Sequence, residues 1–450
     1  VEERGSTVRT ELLGGLTTFM TMAYIVVVNP AILASAGIPA GPSTTATILA
    51  AVFGSLLMGL LANRPIAVAP YMGENAFIAF ALPALGATWQ QSLGAVFVSG
   101  VAFLLITLLG VRSWLARSIS ASLKHSFAVG IGLFMALIGL YQTGIVTSFV
   151  AGMPPEALLS PAGDRLRAPD APLKIGDLRD PRVLLAIFGF LVTVTLLYRR
   201  VRGAILLGIV LTAALGLALG FGEAPRALAA LPLTGEYSLG PVALELDVAG
   251  ALQLGFLPVL LTLFLMAFLD TLGTLVGVGA AGGMLDEKGD FPQVERPMLV
   301  DALASIFSGL VGTSTSGAYI ESATGIREGA RTGLAAVTTA ALFGVALFFA
   351  PLLAPLQRLS YAYAPALIAV GLLMVGSVRK IDFEDLTELV PAFATIALMV
   401  FTYNIANGLT AGLALYPLMK LAAGRARDLS GGSIALGALC GAYYTFGLPH

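Results

Sequence analysis

Two carboxylates stand in stretches where water is not the default solvent: Asp270 in LTLFLMAFLDTLGTLVGV and Glu321 in TSTSGAYIESATG. A charged side chain near the middle of a bilayer costs at least roughly 2.5–3.5 kcal/mol on insertion scales, so such residues persist mainly where they face a cavity and bind something. No Lys or Arg lies within the run that holds Asp270. Glu321 is set apart from its nearest bases, Arg327 and Arg331, and its other reading is a cap on a short helix. Glu74 and Asn75, in RPIAVAPYMGENAFIAF, are the next candidates. Glu74 either contacts a ligand or is a protonated acid that holds a chain break together. Asn75 carries both donor and acceptor, which suits the edge of a heterocycle and equally suits a helix break. Ala76 follows them in the same segment. Thr274 lies one turn beyond Asp270 on the same face, where its hydroxyl can meet a ligand or bond its own helix backbone. Tyr319 and Phe77 can stack on a planar ligand or simply pack. Tyr24 and Asn29 close the segment TMAYIVVVNP, whose Asn-Pro step predicts a helix end first and a site residue only second.

The elements that must position these residues are membrane spans. Only 11% of the 450 residues are charged and 57% are apolar, against about 25% and 45–50% in an ordinary soluble protein. Apolar runs of the length needed to cross about 30 Å of hydrocarbon occur near 12–28, 44–62, 66–82, 90–111, 124–142, 182–198, 203–220, 252–280, 297–311, 313–326, 332–350, 364–378, 387–403 and 405–421. That predicts an all-α membrane protein of about fourteen spans, with 432–448 as an extra span or an interfacial hairpin. The N-terminus VEERGSTVRTE lacks the order of a cleaved signal, so the first run is expected to be retained. With that end inside, eighteen of the twenty-five Lys and Arg residues fall on the inner side, as the positive-inside rule requires. Most of the rest lie in a long outer loop over 143–181. Both termini are then cytoplasmic.

A weak internal repeat pairs GSLLMGL at 54–60 with ASIFSGL at 304–310, and LTTF at 16–19 with LTLF at 261–264. Each half holds an odd number of spans, so the second copy enters from the opposite side, the inverted-repeat construction of secondary transporters. Spans three and ten carry Pro and Gly, or Gly, Ser and Thr, just before Glu74 and Glu321, so both should be partly extended. Interrupted segments at corresponding positions are the best sequence pointer to a substrate site. Short helices beyond the breaks would bring two N-termini, with their N–H donors, toward one ligand.

Several function classes are excluded. The formal charge is −1 and the basic residues are scattered, which sets nucleic acid aside. A single cysteine, Cys440, and two histidines, His125 and His450, leave no disulfide and no usual metal centre. No Ser/His constellation is placed for catalysis, so an enzyme is not expected and no cofactor is needed.

At these residues the chain resembles a known family. GGLTTFMTMAYIVVVNPAIL, MGENAFIAF, FLDTLGTLVGV, AYIESATGIREGARTGLAAVTT and FTYNIANGLTAG look like the AzgA-like branch of the nucleobase transporters, the adenine/guanine/hypoxanthine permeases, related to the bacterial uracil permease. The likeness runs from about residue 10 to 425. It implies two inverted seven-span repeats divided between a core domain (1–123 and 251–350) and a gate domain (124–225 and 363–450) that move against each other, with substrate between the extended segments. It implies that Asp270 and Glu321 bind the base and couple protons, that Asn75 matches the span-three asparagine, and that Thr274 faces the substrate. Two departures stand out: many members carry a second acid where this chain has Ala267, and an apolar residue where it has Glu74. The expected function is purine nucleobase uptake across the inner (cytoplasmic) cell membrane, with a proton favoured over sodium as coupling ion and a homodimer implied by the family alone. The alternatives are a uracil or xanthine permease of the same fold and an anion transporter of the sulfate permease type. Desolvation favours the neutral form of a carboxyl, which would let Asp270 or Glu321 carry the proton.

Overall fold

Helices account for most of the chain, and they stop where the sequence supplies stop signals. The computed structural model describes residues 5–110, 114, 118–151, 173–225, 227–284, 291 and 293–446. The first hydrophobic run is helix α1 (Val8–Met22), followed after a break at Ala23–Tyr24 by α2 (Ile25–Leu33). α3 (Ala40–Leu57) continues into a π-helical turn at Met58–Ala62 that ends on Asn63 with φ of 49°. The third run becomes strand β1 (Val68–Pro70) and a short helix α4 (Met72–Ala76). Then come α5 (Trp89–Leu108), α6 (Ala121–Gln142), α7 (Pro181–Tyr198) and α8 (Ala204–Ala218).

In the second half, α9 (Leu257–Gly282) and α10 (Glu295–Val311) precede strand β2 (Ser316–Ala318) and the six-residue α11 (Ser322–Arg327). They are followed by α12 (Gly333–Ala346), α13 (Ser360–Val375), α14 (Leu386–Phe401), α15 (Ile405–Ala422) and α16 (Gly431–Phe446). Side-chain caps set several starts: Thr88 and Gln91 form a reciprocal capping box on α5, Asp180 caps α7 ahead of Pro181, and Asn404 caps α15. Each satisfies an N–H that the helix itself cannot.

Every one of the fourteen apolar runs coincides with a helix or with one of the two strand-to-helix segments. Among the described residues, eight helices are long and apolar enough by themselves to cross a membrane, and three more are shorter. The terminal stretch folds as the single helix α16, not as a hairpin, although its last residues and much of the loop expected over 143–181 lie outside the described residues. The expected helix end at Asn29-Pro30 is not observed. Pro30 sits inside α2, and the interruption comes well upstream, at Ala23–Tyr24. Proline there removes an N–H from the helix, and the Val26 carbonyl that this N–H would have met takes the Gln357 amide instead, so α2 continues through the proline.

Packing sorts the helices into two groups. α1, α3 and α12 pack together, as do α5, α9 and α10, and α3 bridges to α10. Separately, α6 packs on α13 and α14, α7 and α8 pack on α13, and α15 joins α14 to α16. Glycine makes these crossings close. A Cβ on Gly333 of α12 would fall 2.0 Å from the Gly59 carbonyl oxygen, one on Gly325 of α11 would fall 2.2 Å from that of Gly14, and one on Gly371 of α13 would fall 2.3 Å from that of Gly132. Association between apolar helices in lipid depends on such contact, because burial of apolar surface supplies little drive there.

At one end of the second group a charged cluster joins the loop before α14 to the end of α15. Lys420, almost fully buried, reaches Glu388 at 2.9 Å, and Arg425 reaches Asp385 and Asp428. The Thr387 hydroxyl, then Arg425, hold the Asp385 carboxyl well below the usual carboxylate range. A depressed carboxylate stabilises the fold above its unfolded range and loses that contribution as pH falls below it, so this cluster opens only in acid.

The expected result of Gly333→Ala is a protein that expresses poorly or unfolds several degrees earlier, since overpacking costs roughly 1–3 kcal/mol. Thermal unfolding in detergent followed by size-exclusion recovery measures it. Stability equal to wild type would mean that the α3–α12 contact is not close.

Candidate functional site

Two extended triplets meet at the centre of the first group. β1 and β2 pair antiparallel, Val68 opposite Ala318, Ala69 opposite Gly317 and Pro70 opposite Ser316. Two flanking bonds extend the ladder, Tyr71 N–H to the Thr315 carbonyl and Tyr319 N–H to the Ala67 carbonyl, each 2.9 Å. Pro70 has no N–H to contribute, which suits the end of a strand with one neighbour.

The free edges of this two-stranded sheet are answered by hydroxyls from the helices around it. Ser55 of α3 accepts from the Val68 N–H and donates to the Val68 carbonyl, both at 3.0 Å. Ser305 of α10 donates to the Ser316 carbonyl, and the Ser322 hydroxyl accepts the Ala67 N–H. Non-helical backbone is tolerated at membrane depth only when its polar groups are met in this way. The tyrosines after each strand lock the pair. The Tyr319 hydroxyl donates to the Pro70 carbonyl, and the Tyr71 ring lies over Gly317, parallel to the Tyr319 ring at 6.5 Å.

Each strand delivers a carboxylate to a short helix. Glu74 lies in the first turn of α4 and Glu321 is the cap residue of α11, so both acids sit where a helix N-terminus favours negative charge. Glu321 accepts a 2.7 Å bond from the Tyr24 hydroxyl, which comes from the break between α1 and α2. Glu321 and Asp270 are partly accessible, whereas Glu74 is wholly enclosed. Asp270, on α9, faces Glu74. Tyr319 lies within electrostatic reach of Glu321, Glu74 and Asp270 together, so the three acids converge on one locus. Among the described residues none of them is paired with a Lys or Arg.

The chain between α11 and α12 is fixed as well. The Arg331 guanidinium donates to the Ile326 and Ala330 carbonyls at the end of α11. The wholly buried Glu11 of α1 accepts the N–H groups of Arg331 and Thr332, and Asn63 accepts that of Gly333. Helix α12 thus begins on side chains from α1 and from the end of α3.

The other residues expected at the site are placed as follows. Asn75 donates to Asn29 at 2.9 Å and leaves its own oxygen without a partner. Ala76 and Phe77 are enclosed in the apolar core, which favours the packing reading for Phe77. Tyr319 commits its hydroxyl to Pro70, so it clamps the strands. Thr274 is partly accessible on α9, but Thr271 carries the polar contacts of that turn.

Of two further elements, one was missed in the sequence and the other was read as a helix end first and a site residue second. One is Asp301 on α10, wholly buried, whose Oδ2 accepts from Thr271 at 2.8 Å, from the Ala318 N–H at 2.9 Å and from Tyr71 at 3.3 Å. It joins α9, α10 and both strand segments. Its signal was present, since RPMLVDALASIFSGLV is an acid in an apolar run like that of Asp270. The other is Asn29, which donates to Thr47 at 2.7 Å and Thr313 at 2.9 Å and accepts from Asn75 and Ser314. The adjoining Pro30 drew attention to a helix end and away from this role.

The sequence matches the Permease family over residues 9–411. It is 40% identical over 431 residues to the adenine permease AdeP of Escherichia coli (strain K12), covering 96% of this chain and 91% of that protein. It is 36% identical over 434 residues to the guanine/hypoxanthine permease PbuO of Bacillus subtilis (strain 168), covering 95% of each. Among solved structures, the transmembrane domain of the cyanobacterium bicarbonate transporter BicA aligns with a TM-score of 0.65 at 17% identity, covering 90% of this chain and 97% of that one. That likeness concerns the fold alone.

Asn29→Ala removes the oxygen to which Asn75 and Ser314 donate, while Thr47 and Thr313 keep each other and the Ser43 carbonyl, and each unsatisfied group costs about 1–3 kcal/mol. The expected outcome is a loss of several degrees in thermal unfolding temperature. Unchanged unfolding would show that the network is not tight.

Proposed function

Because the chain belongs to the Permease family across most of its length and is a multi-pass membrane transporter, we propose that it imports purine nucleobases by proton symport with alternating access. The relatives named as adenine and guanine/hypoxanthine permeases support the substrate class. The observation that carries the reading is the convergence of Glu321, Asp270 and Glu74 beside Tyr319, at the only antiparallel contact between the two broken segments among the described residues. A purine presents ring N–H, ring nitrogen and exocyclic groups along one edge. A carboxylate that accepts from that edge discriminates against analogues lacking the donors, because its lone pairs are then left unmet.

In this reading Glu321, oriented by Tyr24, accepts from the base, and Asp270 and Thr274 face the same space from α9. Asn75 is the remaining polar group of the first broken segment. The two packing groups support a core built from 1–123 and 251–350 and a gate built from 124–225 and 363–450, with substrate released as one moves against the other. The antiparallel pairing of β1 with β2 is what inverted copies of one segment would make. Both termini are then cytoplasmic, the bilayer is the cell membrane, and a homodimer is the expected assembly.

The shared fold with a bicarbonate transporter does not carry an anion to this chain. Enclosed acids without a paired base repel one, as like charges do at short range.

The test is uptake of radiolabelled hypoxanthine, adenine, guanine and uracil into proteoliposomes, with and without an inward proton gradient. Saturable, gradient-driven uptake of one or more purines is expected. Glu321→Gln removes a charged acceptor from the base, and a hydrogen bond to a charged group is worth about 1.5–3 kcal/mol, so apparent affinity should fall about 10-fold to 100-fold. Concentrative uptake at the wild-type level by this variant would overturn the assignment.

A further inference from the structure

Glu74 is the least satisfied ionisable group in the described protein. It is wholly buried, and neither carboxyl oxygen makes a hydrogen bond to any described group. The side chain it faces is another carboxyl, that of Asp270. The other ionisable groups that feel its charge are the hydroxyls of Tyr71 and Tyr319. Those hydroxyls are directed elsewhere, Tyr71 to Thr271 and Asp301, and Tyr319 to Pro70. No Lys, Arg or His is paired with either acid among the described residues. On α4 the adjoining Gly73 packs against Ile131 of α6, which is apolar. Ala267, one turn before Asp270 on α9, brings no second acid or base from that helix.

Two carboxylates in contact, one of them sealed from water and without a donor, are not a stable arrangement when both are charged, since burial of an unpaired charge is among the largest penalties in a fold. Glu321 is different. It is partly accessible and has a donor of its own in Tyr24. The acids therefore divide into one that is supplied with a donor and a pair that lacks one.

We propose that Glu74 and Asp270 are the proton site of the transport cycle, with one proton carried on Glu74 and hydrogen-bonded to the Asp270 carboxylate, while Glu321 serves the base alone. The inference rests on the nucleobase reading for the identity of the co-transported solute, but not for the existence of the pair. In the step itself a hydronium ion of the outer water loses a proton to the accessible Asp270, and the O–H formed there breaks as an O–H forms on a Glu74 oxygen. On the inner side the Glu74 O–H breaks and water takes the proton as hydronium. Only O–H bonds change, and water is the donor on one side and the acceptor on the other. Placing the acids on α4 and α9 ties the first broken segment to the second half of the chain, so a proton that neutralises one of them changes the repulsion between two elements of the site.

Glu74→Gln tests this, because the amide fills the same volume and donates an N–H to Asp270, imitating a permanently loaded proton. In proteoliposomes the variant should still exchange labelled base for unlabelled base, at whatever affinity the lost carboxyl leaves it, yet lose accumulation driven by the proton gradient and the substrate-induced proton influx reported by a trapped pH dye. Infrared difference spectra of wild type minus variant should show the carbonyl stretch of a protonated carboxyl at neutral pH. Accumulation with proton influx at the wild-type level in Glu74→Gln, or a wild-type spectrum with no such band, overturns the proposal. If the variant does not fold, wild type decides alone: a band that disappears on alkalinisation in step with coupled uptake supports the pair, and one that persists while coupling is lost overturns it. Failure of wild type to take up any base would count against the nucleobase reading, and the infrared measurement would still judge the pair.

Discussion

The arrangement depends on satisfying non-helical backbone at membrane depth. A helix answers its own N–H and C=O groups, whereas the six residues of β1 and β2 cannot. They pair with each other on one side and take hydroxyls from Ser55 and Ser305 on the other. Once that is required, much else follows. Glycine must stand at position 317 to let Tyr71 lie over the strand, Asp301 must be buried to receive the Ala318 N–H, and the helices that bring these hydroxyls must approach closely. The gain is that backbone and acids are brought to one point by rigid elements.

The polar groups at that point fall into two kinds. Asn29, Asn75, Thr47, Thr313 and Ser314 form a network centred on Asn29 that spans both halves of the chain, with the Asn75 oxygen left over. The groups met at Asn29 make the arrangement specific, because any slip leaves buried donors unpaired. Glu74, Asp270 and Glu321 are the opposite. They face one another or accessible space, and no base neutralises them among the described residues. The first kind holds the backbone around the second in place.

The same division holds between the helix groups. The first is tied by hydrogen bonds over long sequence separations, such as Glu11 to Arg331 and Thr332. The second is tied mainly by apolar contact, by glycine crossings and by the Asp385, Glu388, Lys420 and Arg425 cluster at one end.

Hydropathy by itself determined the class of protein, the positions of all fourteen apolar runs and the two breaks, because burial in lipid demands long apolar runs and proline or glycine leaves a visible mark in them. The same logic singled out Asp270 and Glu321, each an acid in an apolar setting, and would have singled out Asp301 had it been applied to α10. The sequence could not decide which polar groups meet. Tyr24 and Glu321 are 297 residues apart, Asn29 and Thr313 are 284 apart, and Tyr71 and Asp301 are 230 apart, and no local pattern encodes such pairs. Only tertiary packing decided that Asn29 is a hub and not a helix end, that Tyr319 clamps a strand, and that Glu74 and Asp270 face each other. Hydropathy is a property of each segment alone, whereas a hydrogen bond requires two side chains whose segments are placed by everything else in the fold.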